Sequence, residues 1–535
     1  MKHISKVFAL VAACLAFAAT SCSDDFLQRD SLSAASSTTF WQTPTDALEG
    51  LAACYDALQS VDVYNGGPWG IGPLNMDCMT DNGGHFNWSG WMPGFDIVNG
   101  TQSSTNSCSS RFWSGYYEGI KRCNVLLANI ERTGLDADAL AQYSAEARVL
   151  RAFLYHNLTS VFQDVPYFKE PLTLETAKVS KTDKATIVAD LIKELTESVD
   201  ALPVQAPALG RLTKGAALAI LGRVYLYNGQ WKNASDTYEK IIALGCYDLF
   251  SDYTTLFCAK NEGCNEIIFS VRFTGPGVSE GGQFNAHWNT PLEALNGTVD
   301  LADAFYQLDG TPYPNKEDVG EWMNDGTRLV IDINNPNPAR YENRDPRLKT
   351  TLWVPGMSWR DRNYKNGYMY GAAAASYSTI YVNKYFDSMD TDNSWDGGDD
   401  FYIIRYAEVL LSLAEAYVEQ GTNLDKAVQL VDQVRARVGM PKVEDVEKAT
   451  SQEALREIVR HERRVELAFE GVRMYDLYRW RRIEEDIVNK INAEREKYGF
   501  WYEQRFYIGE KAYVWPIPQA ELDNNDLLEQ HPLWK

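Results

Sequence analysis

One stretch of the chain has the spacing of a serine hydrolase nucleophile. Gly277-Val278-Ser279-Glu280-Gly281 matches the Gly-x-Ser-x-Gly elbow, in which the serine hydroxyl attacks an acyl carbon, and it follows a strand-like run at 266–273. The elbow requires a helix directly after the second glycine. Residues 282–291 include Gly282 and Thr290-Pro291, which make a poor helix start. We therefore do not expect acyl-transfer chemistry here.

Signals for metal-dependent or carbohydrate-cleaving chemistry are also weak. His461-Glu462 does not extend to the His-Glu-x-x-His zinc motif, because residue 465 is Val. The nine Cys include no Cys-x-x-Cys pair, so a cysteine zinc site is not indicated. Cys258 and Cys264 could bridge a loop, and the sequence leaves that question open. No spacing marks a carboxylate acid/base pair, yet a surface glycoside hydrolase remains an alternative from a different class.

A calcium loop is the remaining candidate for metal chemistry. Asp390, Asp392, Ser394 and Asp396 place oxygen ligands at alternate positions, as calcium loops do. The later Gly and the bidentate Glu at the twelfth position are absent, and Phe401 stands there instead. A solvated acidic loop before a helix is the favoured interpretation. Calcium is the alternative, and no other cofactor is predicted.

The N-terminus predicts export and lipid attachment. Lys2 and Lys6 precede an apolar run at 7–19, which as a helix spans only about 20 Å against a hydrocarbon core of ~30 Å. The run is therefore typical of a signal peptide, over residues 1–21. Small residues before Cys22 resemble a lipoprotein signal, although no Leu stands three residues earlier, and predict Cys22 as the acylated N-terminus. A plain secretory signal is the alternative.

Composition limits the partners. The chain has 535 residues and a net charge of −22, which repels phosphate backbones and anionic lipid. Nucleic-acid binding is therefore not expected, and membrane attachment must come from the acylated cysteine. The residues that follow it, 22–42, are rich in Ser, Thr and Asp and form a predicted tether.

Two copies of a tetratricopeptide-like pattern organise the helical part. In that pattern, small residues sit where two antiparallel helices cross, large residues fill the groove beside them, and a glycine makes the turn. The first copy comprises Leu221, Gly222, Tyr225, Gly229, Trp231, Ala234 and Tyr238. The second copy comprises Leu413, Ala414, Tyr417, Gly421 and Ala427. Helical periodicity at 110–132, 138–162 and 184–201 predicts further hairpins between the tether and the first copy.

These elements predict a mainly α fold in which tetratricopeptide-like helical hairpins form a scaffold. A helical region is expected over residues 43–250, and a second region over 251–535. The second region begins with a loop-rich, irregular insertion at 251–400 that carries short strands, and its helices return at 401–485.

The C-terminal half carries the motifs of a known family. The blocks 401–411, with Arg405-Tyr406-Ala407-Glu408 at its centre, and 462–473, with Glu462-Arg463-Arg464 at its start, resemble two signature segments of the SusD/RagB family. Further matching blocks lie at 146–153 with 163–166, 343–348, 383–386, 476–480 and 515–518. Because charge runs are usually framework, we expect the charged motif residues to form ion pairs on helix faces or buried ion pairs.

The resemblance implies a non-catalytic, nutrient-binding lipoprotein of the outer membrane that faces the cell exterior. Such proteins cap a TonB-dependent channel and hand it oligosaccharides or, in some members, peptides. Oligosaccharide capture is our first hypothesis and peptide uptake the alternative within the family. A helical scaffold for other surface proteins is a further alternative.

Ligand contacts are expected from exposed aromatic rings, because a pyranose presents a flat C–H face that stacks on Trp or Tyr. The first candidate is the Gly- and Asn-rich stretch 82–91, with Asn82, Asn87, Trp88 and Trp91, in a loop where the resemblance implies a stacking Trp and an Asn. The alternative is that its indoles pin a long loop to the core. Secondary candidates are Trp288, Trp359, Tyr364 and Tyr368.

Overall fold

The computed structural model describes residues 40–67, 70–85, 93–278, 280–284, 295–314, 320–324, 329–359, 362–363, 380–386, 395–447, 449, 451–498 and 504–535. The signal peptide predicted at 1–21, the lipid site Cys22 and the tether up to residue 39 lie outside these ranges. Within the described ranges, every helix is too short or too polar to span a bilayer.

Seventeen α-helices lie in the described part of the chain. They are α1 (Pro44–Asp56), α2 (Pro73–Cys78), α3 (Phe95–Val98), α4 (Ser107–Asn129), α5 (Ala137–Phe162), α6 (Lys184–Ser198), α7 (Lys214–Tyr227), α8 (Trp231–Ala243), α9 (Val299–Ala304), α10 (Arg347–Thr351), α11 (Tyr406–Gln420), α12 (Leu424–Arg437), α13 (Val443–Val446), α14 (Gln452–Leu467), α15 (Arg473–Arg479), α16 (Lys490–Tyr498) and α17 (Gln519–Asn524). This content confirms the predicted mainly α class.

The strands are short. They are β1 (Gly83–His85), β2 (Ile267–Val271), β3 (Leu295–Gly297), β4 (Gly320–Asn324), β5 (Leu329–Pro336), β6 (Leu352–Trp353), β7 (Ser358–Trp359), β8 (Arg362–Asn363), β9 (Tyr381–Val382) and β10 (Phe401–Arg405). The strands β2–β9 all lie in the predicted insertion at 251–400, which confirms its irregular, strand-bearing character.

The first repeat forms the predicted helical hairpin, α7 with α8. A Cβ atom on Gly222 would lie 2.6 Å from the ring of Tyr238, so the two helices meet where the side chain is missing. Ala234 and Tyr238 are buried in that contact. Gly229 has φ of +69° and makes the turn, a conformation that glycine adopts without a steric penalty.

The second repeat, α11 with α12, packs against the first. Its small residues Ala414 and Ala427 are buried, and Gly421 ends α11 in the left-handed conformation at φ of +67°. The two hairpins are joined by Arg223 of α7, whose Nε lies 2.6 Å from the Glu408 carboxylate of α11. Helices from the two distant copies therefore form one stack.

The chain leaves this stack at β2 and returns to it at β10. Strand β10 pairs antiparallel with β2, with Phe401 opposite Val271 and Arg405 opposite Ile267. The main hydrophobic core of the described residues is one cluster of buried side chains that extends from Trp41 to Leu528. The predicted regions 43–250 and 251–535 thus share one core.

The charged motif residues form buried ion pairs, as expected. Arg405 does not pair with its motif neighbour Glu408. It donates instead to Glu466 at 3.1 Å and to Glu470 at 2.6 Å. Four of the family blocks meet in this buried ion network, which contains Arg347, Lys384, Arg405, Glu462, Glu466 and Glu470.

Candidate functional site

A four-stranded sheet gathers the segments that carry the candidate ligand residues. Its strand order is β1-β3-β9-β6, and each neighbouring pair is antiparallel. Because His85 at the end of β1 lies opposite Leu295 at the start of β3, the chain leaves β1 and enters β3 at the same end of the sheet. At the other end the chain leaves β6 at Trp353 and enters β9 at Tyr381, and these two residues are register partners.

The segments with the primary candidates and with the secondary candidate Trp288 attach at the first end of the sheet. Asn87, Trp88 and Trp91 follow β1 directly, and Trp288 precedes β3 by a few residues. These four residues lie outside the described ranges. Their attachment points are described, and the pairing of β1 with β3 brings those points together. Segments that are two hundred residues apart in sequence are therefore neighbours.

The segments with the other secondary candidates attach at the second end of the sheet. Trp359 lies in β7, which pairs with β8 shortly after the chain has left β6. Tyr364 and Tyr368 lie outside the described ranges, in the segment that returns to β9. A strand of three residues is only about 10 Å long, so the two ends of the sheet are close to each other.

An aromatic cluster that the sequence interpretation missed covers the second end. Trp353 is buried, and its ring centroid lies 5.8 Å from that of the half-buried Tyr381. Met357 and Phe386 pack against the same indole and are also half-buried. The short run Leu352-Trp353-Val354 was the only sequence signal for it. This cluster is separate from the main core.

Asn82 has a different place from the one predicted. Its side chain is wholly buried. The amide nitrogen donates to Asp77 Oδ2 at 3.0 Å, and the amide oxygen accepts from Arg464 Nε at 3.1 Å. Since both ends of the amide are used inside the protein, this placement argues against the predicted contact with a ligand. Asn82 instead anchors the chain just before β1, the strand that leads into the segment with Trp88 and Trp91.

Two buried carboxylates lie beside Asn82, and their pKa values are shifted in opposite directions. Burial raises the pKa of Asp77 to about 7. Burial acts in the same sense on Asp81, but there the guanidinium groups of Arg464 and Arg473 hold the pKa well below its usual range. Arg473 binds Asp81 through two parallel hydrogen bonds of 2.9 and 2.8 Å. The charge of Asp81 is therefore fixed.

The backbone at the start of β1 is held by one further arginine. Arg505 is buried and donates to three carbonyl oxygens, those of Cys78 at 3.1 Å, Thr80 at 2.7 Å and Gly83 at 2.8 Å. A guanidinium that spans three carbonyls restrains the path of the chain over this whole segment. The chain that leads into β1 is thus held more firmly than the Gly-rich sequence suggested.

The structure gives no support to the hydrolase pattern. Ser279 lies outside the described ranges, but the residues that follow it are described. Glu280 and Gly282 form isolated bridges with Thr274 and Gly397 and are extended, where a nucleophile elbow requires a helix. His461 stacks on Tyr306 with ring centroids 4.3 Å apart, and burial lowers its pKa to about 3.

The metal candidates fall mostly on undescribed residues. Asp390, Asp392 and Ser394 lie outside the described ranges, and Asp396 accepts a hydrogen bond from the Gly277 nitrogen at 2.7 Å. The described part of the chain contains no cluster of three or more His, Cys, Asp or Glu side chains placed for a metal ion. Its seven cysteines, Cys258 and Cys264 among them, are free of disulfide bonds.

Two of the hollows in the described part of the chain lie in the helical frame, away from the sheet. One of about 680 Å³ is bounded by α4, α5 and α6, and its lining contains charged and aliphatic residues without an aromatic ring. A smaller hollow of about 170 Å³ is bordered by four tyrosines, Tyr227, Tyr475, Tyr478 and Tyr513, of which the last three are buried. Neither offers an exposed ring face comparable to those expected of the loops at the sheet.

Comparison with known proteins places this architecture in a family. A model described as the SusD family matches residues 265–534, and one described as starch-binding and associating with the outer membrane matches residues 25–226. SusD-like protein P25 of Formosa agariphila is 25% identical over 547 residues, which cover 96% of each protein.

Solved structures have the same fold. A SusD-like carbohydrate-binding protein of Bacteroides fragilis superposes with a TM-score of 0.79 at 29% identity, over 92% of this chain and 100% of that one. A laminarin-binding SusD-like protein superposes with a TM-score of 0.66 at 24% identity, over 92% of this chain and 100% of that one. Together with the motif blocks, which meet in one buried ion network, these matches show that the chain belongs to the SusD family.

Proposed function

We propose that this chain is a lipid-anchored, glycan-binding protein of the outer membrane that captures an oligosaccharide without acting chemically on it. The observation that supports it best is the four-stranded sheet, from whose two ends the segments with Trp88, Trp91, Trp288 and Trp359 emerge. Three distant stretches of sequence with candidate stacking residues are attached to one small sheet. Convergence of this kind is what a sugar site requires.

The energetics of sugar binding explain why convergence matters. One ring stacked on a pyranose contributes about 0.5–1.5 kcal/mol if it resembles an aromatic pair, which is too little to hold a ligand alone. Several rings must act together, and they must be fixed beforehand, because ordering them on binding would offset the gain. The buried contacts of Asn82, Arg464 and Arg505 hold the start of β1, the strand that leads into the first loop.

The relatives support the same class of ligand. A similar solved structure is described as carbohydrate-binding and another as laminarin-binding, and the N-terminal family model is described as starch-binding. We propose oligosaccharide in preference to peptide on this ground. Linkage and sugar type would follow from side chains on the loops.

A glycan array with calorimetric follow-up tests the proposal. The protein without residues 1–22 is applied to soluble oligosaccharides, laminarin fragments included, and to a matched peptide panel. We expect binding to a glycan class and a loss of about fivefold to 150-fold in affinity for Trp88→Ala with Trp91→Ala, since the two lost rings together remove about 1–3 kcal/mol. Trp231→Ala removes an indole from the repeat hairpin and is the matched control. Binding to peptides alone, or sugar release from a glycan, would overturn the proposal.

Membrane attachment and the partner are a second part of the proposal. We propose acylation at Cys22, exposure to the cell exterior, and delivery of the glycan to a TonB-dependent channel. Cys22→Ala should move the protein from the membrane fraction to the soluble fraction, because more than one acyl chain is needed for durable anchoring. Affinity purification of the wild-type lipoprotein from detergent extracts should recover a channel of that class. Recovery without any channel would contradict the hand-off.

A further inference from the structure

One guanidinium joins the stretch of chain just before β1 to the stretch just after β3, at the end of the sheet opposite to the one where the segments with Trp88, Trp91 and Trp288 attach. Arg464 lies in α14, within the charged family block, and only 7% of its side chain is exposed. Its Nε donates to Asn82 Oδ1 at 3.1 Å, and its Nη2 donates to the Asp81 carbonyl at 2.8 Å. Both contacts lie just before β1, from which the segment with Trp88 and Trp91 continues.

The third nitrogen of the same group reaches the other segment. Arg464 Nη1 donates to Asp300 Oδ2 at 2.7 Å, and Asp300 lies three residues after β3. The segment with Trp288 leads into β3 from the opposite direction. The three nitrogens of one planar group therefore divide between two stretches of chain, and their fixed geometry sets the distance between them.

Other contacts at this point repeat the connection without involving Arg464. The Thr298 nitrogen donates to the Asn82 carbonyl at 3.1 Å, and the Thr298 hydroxyl donates to the Asp81 carbonyl at 2.8 Å. Glu494 accepts from the backbone nitrogens of Val299 and Asp300 at 2.9 and 2.8 Å. These contacts do not depend on Arg464. The hydrogen bonds from its guanidinium group to Asn82, Asp81 and Asp300, which we call the clamp, do.

We infer that Arg464 is a positioning residue for glycan binding, which fixes β1 relative to β3, the two strands to which the segments with Trp88, Trp91 and Trp288 attach, without touching the ligand. This inference rests on the proposed function for its consequence, but the geometric part stands on the described residues alone. Groups that hold ligand-bearing residues in place cost about tenfold to hundredfold in affinity when they are removed, by analogy with outer-shell partners of metal ligands.

The test compares Arg464→Lys with Arg463→Lys. Lys keeps the positive charge but has a single ammonium, which cannot reach Asn82, Asp81 and Asp300 together. Arg463 is the adjacent residue, equally buried, and it binds Asp476 and Ser412 away from the sheet. The two variants therefore carry a similar penalty to stability, and only one of them loses the clamp.

Hydrogen exchange of the unliganded protein measures the clamp directly. We expect faster exchange at 81–85 and at 295–300 in Arg464→Lys and wild-type exchange there in Arg463→Lys. Asp300→Asn weakens only one arm and should loosen 295–300 alone, which keeps the test decisive if Arg464→Lys fails to fold. Unchanged exchange at both stretches, or equal loosening in both Lys variants, would overturn the inference.

Affinity on the oligosaccharide array supplies the functional readout. Arg464→Lys should bind at least about tenfold more weakly than Arg463→Lys at equal thermal stability. Equal affinity of the two variants, with faster exchange at 81–85 and 295–300 in only one of them, would show that Arg464 has a structural role alone and would overturn the inference. If the wild-type protein bound no glycan at all, the proposed function would fail, and the exchange comparison would still decide whether Arg464 clamps the two segments.

Discussion

The hairpin stack and the four-stranded sheet differ in what keeps them rigid. In the stack, α7, α8, α11 and α12 have 13–15 residues each and bury apolar faces along their whole length. In the sheet, β1, β3, β6 and β9 have two or three residues each, far too few to be stable alone. Side chains from elsewhere, Arg464, Arg473 and Arg505 above all, hold it in place. A small sheet can thus receive its order from side chains that lie elsewhere in the sequence.

The largest expected effect comes from breaking the ion network between the two regions. Arg405→Ala leaves the carboxylates of Glu266, Glu466 and Glu470 buried without their shared cation. Removal of one partner from a buried ion pair costs about 3–5 kcal/mol, so the free energy of unfolding in urea should fall by that amount. Lys232→Ala, which breaks an exposed pair with Asp236, should cost at most about 1 kcal/mol. Similar losses in the two variants would contradict a structural role for the network.

A smaller effect is expected inside the stack itself. Gly222→Ala places a methyl group 2.6 Å from the Tyr238 ring, and overpacking of this kind costs about 1–3 kcal/mol. The higher helix propensity of Ala returns about 1 kcal/mol, so we expect a net loss of up to about 2 kcal/mol. Thermal unfolding measures it. Gly263→Ala, where the nearest atom lies 3.9 Å away, should leave the unfolding temperature unchanged. A Gly222→Ala protein that unfolds at a higher temperature than the wild type would contradict the tight helix crossing.

The base of the sheet predicts a pH effect that the stack does not share. The pKa of Asp77 is raised to about 7, whereas an unfolded Asp titrates near 4. Its contribution to stability is therefore complete below about pH 4 and is lost as the pH rises through 7. Asp77→Asn should show a shallower fall in unfolding free energy between pH 5 and 8 than the wild type. Asp236→Asn, on an exposed helix face, should keep the wild-type slope, and equal slopes in all three proteins would show that Asp77 is already ionised.

Calcium removal has the smallest expected effect. One oxygen of Asp396 already accepts a backbone hydrogen bond, and the acidic stretch lacks the bidentate Glu of a calcium loop. The melting temperature should therefore be the same in EDTA and in millimolar calcium chloride. A rise with calcium that disappears in Asp392→Asn would reverse this and place an ion beside the insertion.

The sequence predicted the stack well because its signal is local. Gly222, Ala234 and Tyr238 lie within one hairpin, and the spacing of small and large residues is sufficient to define their contact. The sheet left no such signal, since β1 pairs with β3 across two hundred residues and a three-residue strand is too short to show alternation. Asn82 illustrates the same limit. An amide beside two glycines suggested exposure, and the residue that buries it, Arg464, lies 382 positions later in the chain.

The pairing of β2 with β10 has a consequence for how this architecture diversifies. The excursion between these strands begins and ends at adjacent backbone positions, so a longer loop within it leaves the pairing of β2 with β10 in place. Doubling the length of a flexible loop adds only about 0.6 kcal/mol of closure entropy. Loops of the excursion can therefore change in length at little cost as long as its buried elements, which contact the helices, are kept.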